Sequence, residues 1–280
     1  MKDFKNKVAA ITGAASGMGR TLSLELAQRG CHVALSDVDE VGLAETARLA
    51  STLGVTVTTA RIDVADRDAV FAWADQVAAD HGKVNLVFNN AGVALAAFLD
   101  TVKPSDFEWI MGINFWGVVW GTQAFLPYLK QSGAGHVINT SSLFGLLASP
   151  TQGTYNASKF AVRGFTESLR QELDLANCGV SATCVHPGGI RTNIARAGRI
   201  DGNLNEQTGQ DAEAARARFD KLLNVTTAES AARQILRAVE HNERRVLVGL
   251  DAMVLDLCVR LLGSWYQPVS ALLAKKLMRG

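Results

Sequence analysis

The residues Val8-Ala9-Ala10-Ile11-Thr12-Gly13-Ala14-Ala15-Ser16-Gly17-Met18-Gly19-Arg20 read as a short apolar run, a glycine turn and the opening of a periodic helix. Glycine permits positive φ and close backbone approach. The helix that follows supplies free N–H groups and a partial positive charge, which together suit a pyrophosphate. The spacing is G-x-x-x-G-x-G, and a plain tight turn would use the same residues. The position between a strand and a helix favours phosphate binding, with Gly13, Ser16, Gly17, Met18 and Gly19 as the cradle.

Outward from this unit, the pattern repeats. Apolar, β-branched runs at Val8–Thr12, His32–Ser36, Val55–Ile62, Val84–Asn89, His136–Thr140, Val180–His186 and Val246–Gly249 are strand candidates. Helical periodicity fills Met18–Arg29, Glu40–Leu53, Asp66–His81, Ser105–Lys130, Tyr155–Ala176 and Thr227–Asn242. Strand alternating with helix predicts an α/β fold: a Rossmann-type doubly wound parallel sheet of about seven strands, with helices on both faces. Ligands of such sheets bind in the crevice beyond the carboxyl ends of the strands. No linker interrupts the pattern, so residues 1–250 are expected to form a single nucleotide-binding and catalytic domain.

Composition bounds the function. The chain has 280 residues, 48% of them hydrophobic and 20% charged, which suffices for a full core. Its net charge of +1 gives no overall field for nucleic acid, and basic residues cluster only at Arg244-Arg245 and Lys275-Lys276. The four cysteines are scattered, without a C-x-x-C pair or a His at ligand spacing, so no metal site is expected and a reducing, cytoplasmic compartment is. Met1–Lys7 followed by Val8–Ile11 superficially imitates a secretion signal, but the apolar run is short and leads directly into the glycine turn.

Several polar residues end the strand candidates. Asp37 stands some twenty residues after the glycine turn, where a carboxylate can accept the two hydroxyls of an adenosine ribose. A 2′-phosphate would meet like charge there, and no Lys or Arg occupies positions 14–16 or 38–40 to offset it; NAD is therefore expected over NADP. Asp37 could equally be a solvated turn aspartate beside Asp39 and Glu40. Asp63-Val64 closes the third run and can meet the adenine edge. Asn90-Ala91-Gly92 closes the fourth with residues small enough for a ligand to lie along the backbone, or simply to turn. Asn114 sits between Ile113 and Phe115, a polar group in an apolar helix that also suits local backbone bonding.

The stretch Thr140–Lys159, TSSLFGLLASPTQGTYNASK, carries the chemistry. Tyr155 and Lys159, four apart on a helix, share one face. A phenol titrates near pH ~10, and a neighbouring cation favours the phenolate and draws that value down. Ser142 ends a β-like run thirteen residues upstream, within reach of the same face. Alone, the pair would also fit a solvated helix surface.

Taken together, TGxxxGxG at Thr12–Gly19, NNAG at Asn89–Gly92, Asn114, Ser142, YxxxK at Tyr155–Lys159 and Pro187-Gly188 resemble the short-chain dehydrogenase/reductase family in order and spacing, over roughly residues 5–250. The resemblance implies an NAD(P)-dependent oxidoreductase acting on CH–OH groups. It makes Tyr155 the general acid/base, Lys159 the group that lowers its pKa and bonds the nicotinamide ribose, Ser142 the holder of the substrate oxygen, and Asn114 the anchor of a proton-relaying water. It also implies that Pro187, Gly188, Ile190 and Thr192 wrap the nicotinamide. A mobile substrate lid is expected at about 193–224. A dimer or tetramer is expected through the helices near Ser105–Lys130 and Tyr155–Ala176.

The loops after the catalytic strands, Val93–Phe98, Leu143–Leu147 and Ile194, are almost wholly apolar. They suit a secondary alcohol or ketone on a bulky apolar body, or packing of the loops themselves. Residues 251–280 add a helical extension too interrupted and charged to span a membrane. It is open to core or subunit packing, to covering the pocket, and to peripheral membrane contact through Trp265, Tyr266 and the lysines. The rival functions are a non-catalytic nucleotide-sensing scaffold and an isomerase or dehydratase of the same fold.

Overall fold

In the computed structural model, residues 1, 3–192, 194, 198–201 and 225–279 are described. In chain order the elements are β1 (Val8–Thr12), α1 (Gly17–Gln28), β2 (His32–Asp37), α2 (Glu40–Ser51), β3 (Val57–Arg61), α3 (Arg67–His81), β4 (Leu86–Asn89), β5 (Leu95–Ala96) and α4 (Pro104–Met111). They continue with α5 (Gly117–Gln131), β6 (Gly135–Thr140), α6 (Gly153–Ala176), β7 (Val180–Pro187), β8 (Arg199–Ile200), α7 (Ala228–Glu240), β9 (Arg245–Val248), α8 (Leu250–Leu262) and α9 (Tyr266–Arg279).

Seven of these strands form one parallel sheet in the order β3-β2-β1-β4-β6-β7-β9. The side-chain period of two divides its core. Ala9 and Ile11 face α1 and α7, where Leu22, Leu26, Ile235 and Val239 are buried. Val8 and Ala10 face the opposite layer, where Trp73, Phe125 and Leu169 from α3, α5 and α6 are buried. Helix entries follow from capping chemistry: Asp39 accepts the N–H of Gly42 at 3.0 Å and Asp66 that of Ala69 at 3.1 Å. The chain winds one way from β1 to β3 and the other way from β4, so the glycine turn after β1 and the loop after β4 meet at the reversal.

The fold departs from the sequence pattern in three places. The segment expected as a single helix from Ser105 to Lys130 is α4 and α5 joined by a π-helical turn, Gly112–Trp116, which carries Asn114. Leu95–Ala96 pairs in parallel with Arg199–Ile200 as a second, two-stranded sheet. The C-terminal extension is two helices with a break at Gly263, whose φ is +55°. The lid expected at about 193–224 lies outside the described residues except at 194 and 198–201.

Candidate active site

At the reversal point, three backbones approach one another with little space to spare. Gly13 and Gly17 have φ of +68° and +51°. A Cβ on Gly13 would lie 2.8 Å from Cα of Ala91, on Gly17 3.0 Å from Cγ2 of Thr192, and on Gly19 1.9 Å from the Gly13 oxygen. Only glycine allows that convergence. Thr12 ties the loops together: its hydroxyl accepts the N–H groups of Asn90 and Ala91, each at 3.0 Å. Asn90 donates its amide to the Thr12 carbonyl at 3.0 Å, while its Oδ1 is buried with no partner among the described residues. The Ser16 side chain makes no capping bond to α1, and no acidic residue stands in that helix's first turn. This end of α1 suits a diphosphate.

Asp37 ends β2, its Oδ2 accepting the Ala15 N–H at 2.9 Å and its Oδ1 the Asp39 N–H at 3.1 Å. The nearby Arg20 guanidinium is committed to Thr46 Oγ1 at 2.9 Å and to the carbonyls of Ala15 and Gly42. Asp63 is exposed two residues beyond the end of β3, and its Oδ1 accepts the Ala65 N–H at 3.0 Å. Val64 is buried, directly under Gly117, where a Cβ would come within 2.7 Å of it. These residues fit a dinucleotide laid along the strand ends: glycine cradle, orphaned Asn90 oxygen and terminal carboxylate.

Ser142, Tyr155 and Lys159 come together beyond β6. Ser142 begins a 3-10 turn, its hydroxyl accepting the Phe144 N–H at 3.1 Å. Tyr155 lies in the first turn of α6, its ring edge-on to Phe144 at 6.1 Å, and the Ser142 side chain stands near enough to its phenol to favour the phenolate. Lys159 is 2% exposed; its Nζ donates to the Thr140 carbonyl at 3.0 Å and lies 5.6 Å from the Tyr155 ring centre. The electrostatics differ from the simple picture of a cation drawing down a phenol. Burial pushes the Tyr155 hydroxyl up to about 12, with the Ser142 side chain acting in the opposite direction. Burial likewise lowers Lys159 to about 8. In the chain by itself desolvation dominates both groups, and the ammonium is spent on the Thr140 carbonyl.

Asn114 makes no bond to Lys159. Its Oδ1 accepts the Val93 N–H at 2.8 Å, and its Nδ2 donates to the Val93 carbonyl at 2.9 Å and to Ser158 Oγ at 3.1 Å. Its oxygen and the Lys159 ammonium nonetheless flank Gly92, 3.2 and 3.4 Å from the point where a Cβ would sit. Leu95, Ala97, Ile110 and Tyr155 form one buried cluster, with Val93 and Phe144 packed on it, so part of the apolar wall is also loop packing.

Pro187 ends β7, and Gly188 donates to Val248 at 2.9 Å. Ile190 is buried and bridges to Thr226, and Thr192 reaches Gly17. Sequence reasoning missed the residues that hold these loops. His186 Nδ1 donates to the Ser142 carbonyl at 2.9 Å, and burial lowers its imidazole to about 4, keeping it neutral. Asp251 Oδ2 accepts the Gly189 N–H at 2.6 Å, and Tyr266 Oη accepts the Ala148 N–H at 3.0 Å. His186 adjoins the quoted Pro187-Gly188 and was findable; Asp251 and Tyr266, far away in the chain, carry no local signal.

A sequence model described as short chain dehydrogenase matches residues 7–202. The chain is 49% identical over 271 residues to a Mycobacterium tuberculosis protein named as an oxidoreductase, SadH, covering 97% of this chain and 96% of that one. It is 37% identical over 202 residues to the C alpha-dehydrogenase of a Sphingobium species, covering 71% and 66% of the two chains. Among solved structures, a short chain dehydrogenase/reductase from Burkholderia phymatum in complex with NAD superimposes with a TM-score of 0.85. That pair is 31% identical, and the match covers 95% of this chain and 97% of the other.

Proposed function

The chain belongs to the short-chain dehydrogenase family of oxidoreductases, and from that premise we propose that it transfers a hydride between NAD and a secondary alcohol or ketone on a bulky apolar body. The observation that carries this reading is the convergence of Ser142, Tyr155 and Lys159 beside Gly92, at the crevice rimmed by the Gly13–Gly19 loop. When bound, the nicotinamide takes up or supplies the hydride.

The chain's own residues do the rest. The glycine loop and the N-terminus of α1 hold the diphosphate, with Asn90, Ala91 and Val64 along the cofactor's length. Asp37 receives the adenosine ribose and Asp63 stands toward the adenine. The backbone at Pro187, Gly188 and Ile190, with Thr192, orients the carboxamide end. Ser142 donates its hydroxyl to the substrate oxygen, and Tyr155 takes the proton from that oxygen or returns it. The Lys159 ammonium stabilises the phenolate and bonds the nicotinamide ribose. Asn114, opposite Lys159 across Gly92, positions a water through which the proton leaves. Acid/base catalysis of this kind contributes about 10² to 10⁴ in rate. The apolar wall of Leu95, Ala97, Leu143 and Leu147 supports an apolar substrate. Trp116 and Phe160 stand exposed on the π turn and α6, which supports a homo-oligomer formed through those helices. The scattered cysteines support a cytoplasmic enzyme.

The test is cofactor reduction with NAD and NADP over secondary alcohols ranging from short diols to steroids, with the native chain and Tyr155→Phe in parallel. Turnover with NAD and apolar alcohols, abolished in Tyr155→Phe while NAD still binds, is the expected result. Unchanged turnover in Tyr155→Phe, or a higher kcat/KM for small polar sugars, would overturn the mechanism or the substrate class respectively.

A further inference from the structure

The C-terminal extension wears its polarity inside out. In α8 the well-buried positions are Ala252 and Asp256, while Leu250 and Leu261 are each 77% exposed. Trp265, at the elbow, is 75% exposed, and Leu272 in α9 is 69% exposed. A continuous exposed apolar face of this kind marks a surface that something covers.

Charge identifies the occupant. Both acids of the extension are spent inward or locally: Asp251 on the Gly189 N–H at 2.6 Å, and Asp256 on Arg260 at 2.7 Å. The stretch from Tyr266 to Gly280 contains Lys275, Lys276 and Arg279 and no acidic residue. An apolar face with a basic end and a tryptophan at its bend matches the interface of an anionic bilayer. A second copy docked on the same face would offer that basic end only the extension's two carboxylates, Asp251 and Asp256, and both are already engaged within their own chain. Helices of 13 and 14 residues with a break between them are too short to cross, and no helix among the described residues is long and apolar enough to do so.

We propose that α8 and α9 are a docking surface for an anionic lipid surface, lying along it with Trp265 at the elbow inserted. The same extension reaches the loops around Tyr155, through Asp251 on Gly189 and Tyr266 on Ala148. Docking thus sets those loops near the lipid, where an apolar alcohol would partition. The docking itself stands whether or not such an alcohol is the substrate.

Cosedimentation of the full chain with phosphatidylcholine vesicles, and with vesicles that also contain phosphatidylglycerol, tests this at low and high salt. Binding to the anionic vesicles, weakened by salt, is the expected result. The double change Leu261→Glu, Trp265→Glu should abolish it. Lys275→Gln with Lys276→Gln should weaken it on the order of tenfold or more, with NAD binding unchanged. If the glutamate variants do not fold, the glutamine pair and the salt series decide. Failure of the native chain to bind either vesicle overturns the proposal, as does binding that ignores salt and both sets of changes. A fall to monomer mass in the glutamate variant, with no vesicle binding by the native chain, would make the face a contact between copies instead.

Discussion

Asp251, the second residue of α8, accepts the backbone N–H of Gly189 at 2.6 Å, sixty-two residues away in the chain. The carboxylate lies so close under this loop that a Cβ on Gly188 would come within 2.2 Å of it. One oxygen, Oδ1, is buried without a partner among the described residues. The extension therefore shapes the loop that the proposed mechanism assigns to the nicotinamide.

Asp251→Ala leaves the Gly189 N–H unpaired, at a cost of about 1 to 3 kcal/mol. We expect a lower urea midpoint and a several-fold weaker Kd for NAD. Asp251→Asn, which keeps an acceptor oxygen, should restore most of both. If alanine alters neither, the contact has no role in holding the loop.

Lys159 is held as a buried ammonium with its pKa lowered to about 8 from 10.5. Between those values the unfolded chain binds more protons than the folded one, so this group makes stability rise with pH across that window and contributes its full penalty below pH 8. Lys159→Met should be more stable at neutral pH by about 1 to 3 kcal/mol, the gain reduced by loss of the Thr140 hydrogen bond. Turnover should be lost. The difference between the two stability curves, measured by urea unfolding, should shrink as pH climbs from 8 to 10.5; a constant difference would contradict the assignment.

Burial holds the Tyr155 phenol at about 12 in the chain without cofactor. A cation brought into this dry site favours phenolate. Ultraviolet difference titration, with Tyr155→Phe as the subtracted reference, should show the midpoint moving down when oxidised NAD is added and staying high with the reduced form. Equal midpoints in the two complexes would mean that the ring charge does not reach the phenol.

Asp37 presents its carboxylate at the end of β2 with Arg20 already committed to Ala15, Gly42 and Thr46. Asp37→Ser removes the like charge that a 2′-phosphate would meet, a repulsion worth several kcal/mol when unrelieved. The NAD-to-NADP ratio of kcat/KM should fall on the order of tenfold or more. A ratio that stays put would place the discrimination elsewhere.

The central sheet was legible because buried parallel strands are contiguous β-branched runs, as at His136–Thr140 and Val180–His186, and each is followed by a turn and a periodic helix. Each of those runs lies within two residues of the observed strand at both ends, the third and fourth strands each starting two residues later than the run. Asn114 was noticed as a polar residue in an apolar segment, yet its reason was not readable. It sits on a π turn whose extra residue turns the side chain onto Val93 and Ser158. The pair Leu95–Ala96 and Arg199–Ile200 escaped because two residues show no periodicity and their partner is a hundred positions away.

By itself the sequence determined the parallel sheet and the glycine turn after its first strand, because hydrophobic periodicity and turn chemistry act between near neighbours; Ser142, Tyr155 and Lys159 were singled out by the resemblance of their motifs to a family. Only the tertiary structure decided the electrostatic state of that trio, the anchoring of its loops by His186, Asp251 and Tyr266, and the outward apolar face of the extension. The reason is physical: a pKa depends on how much water the fold excludes from all sides, and a hydrogen bond across 62 or 118 residues leaves no trace in local order.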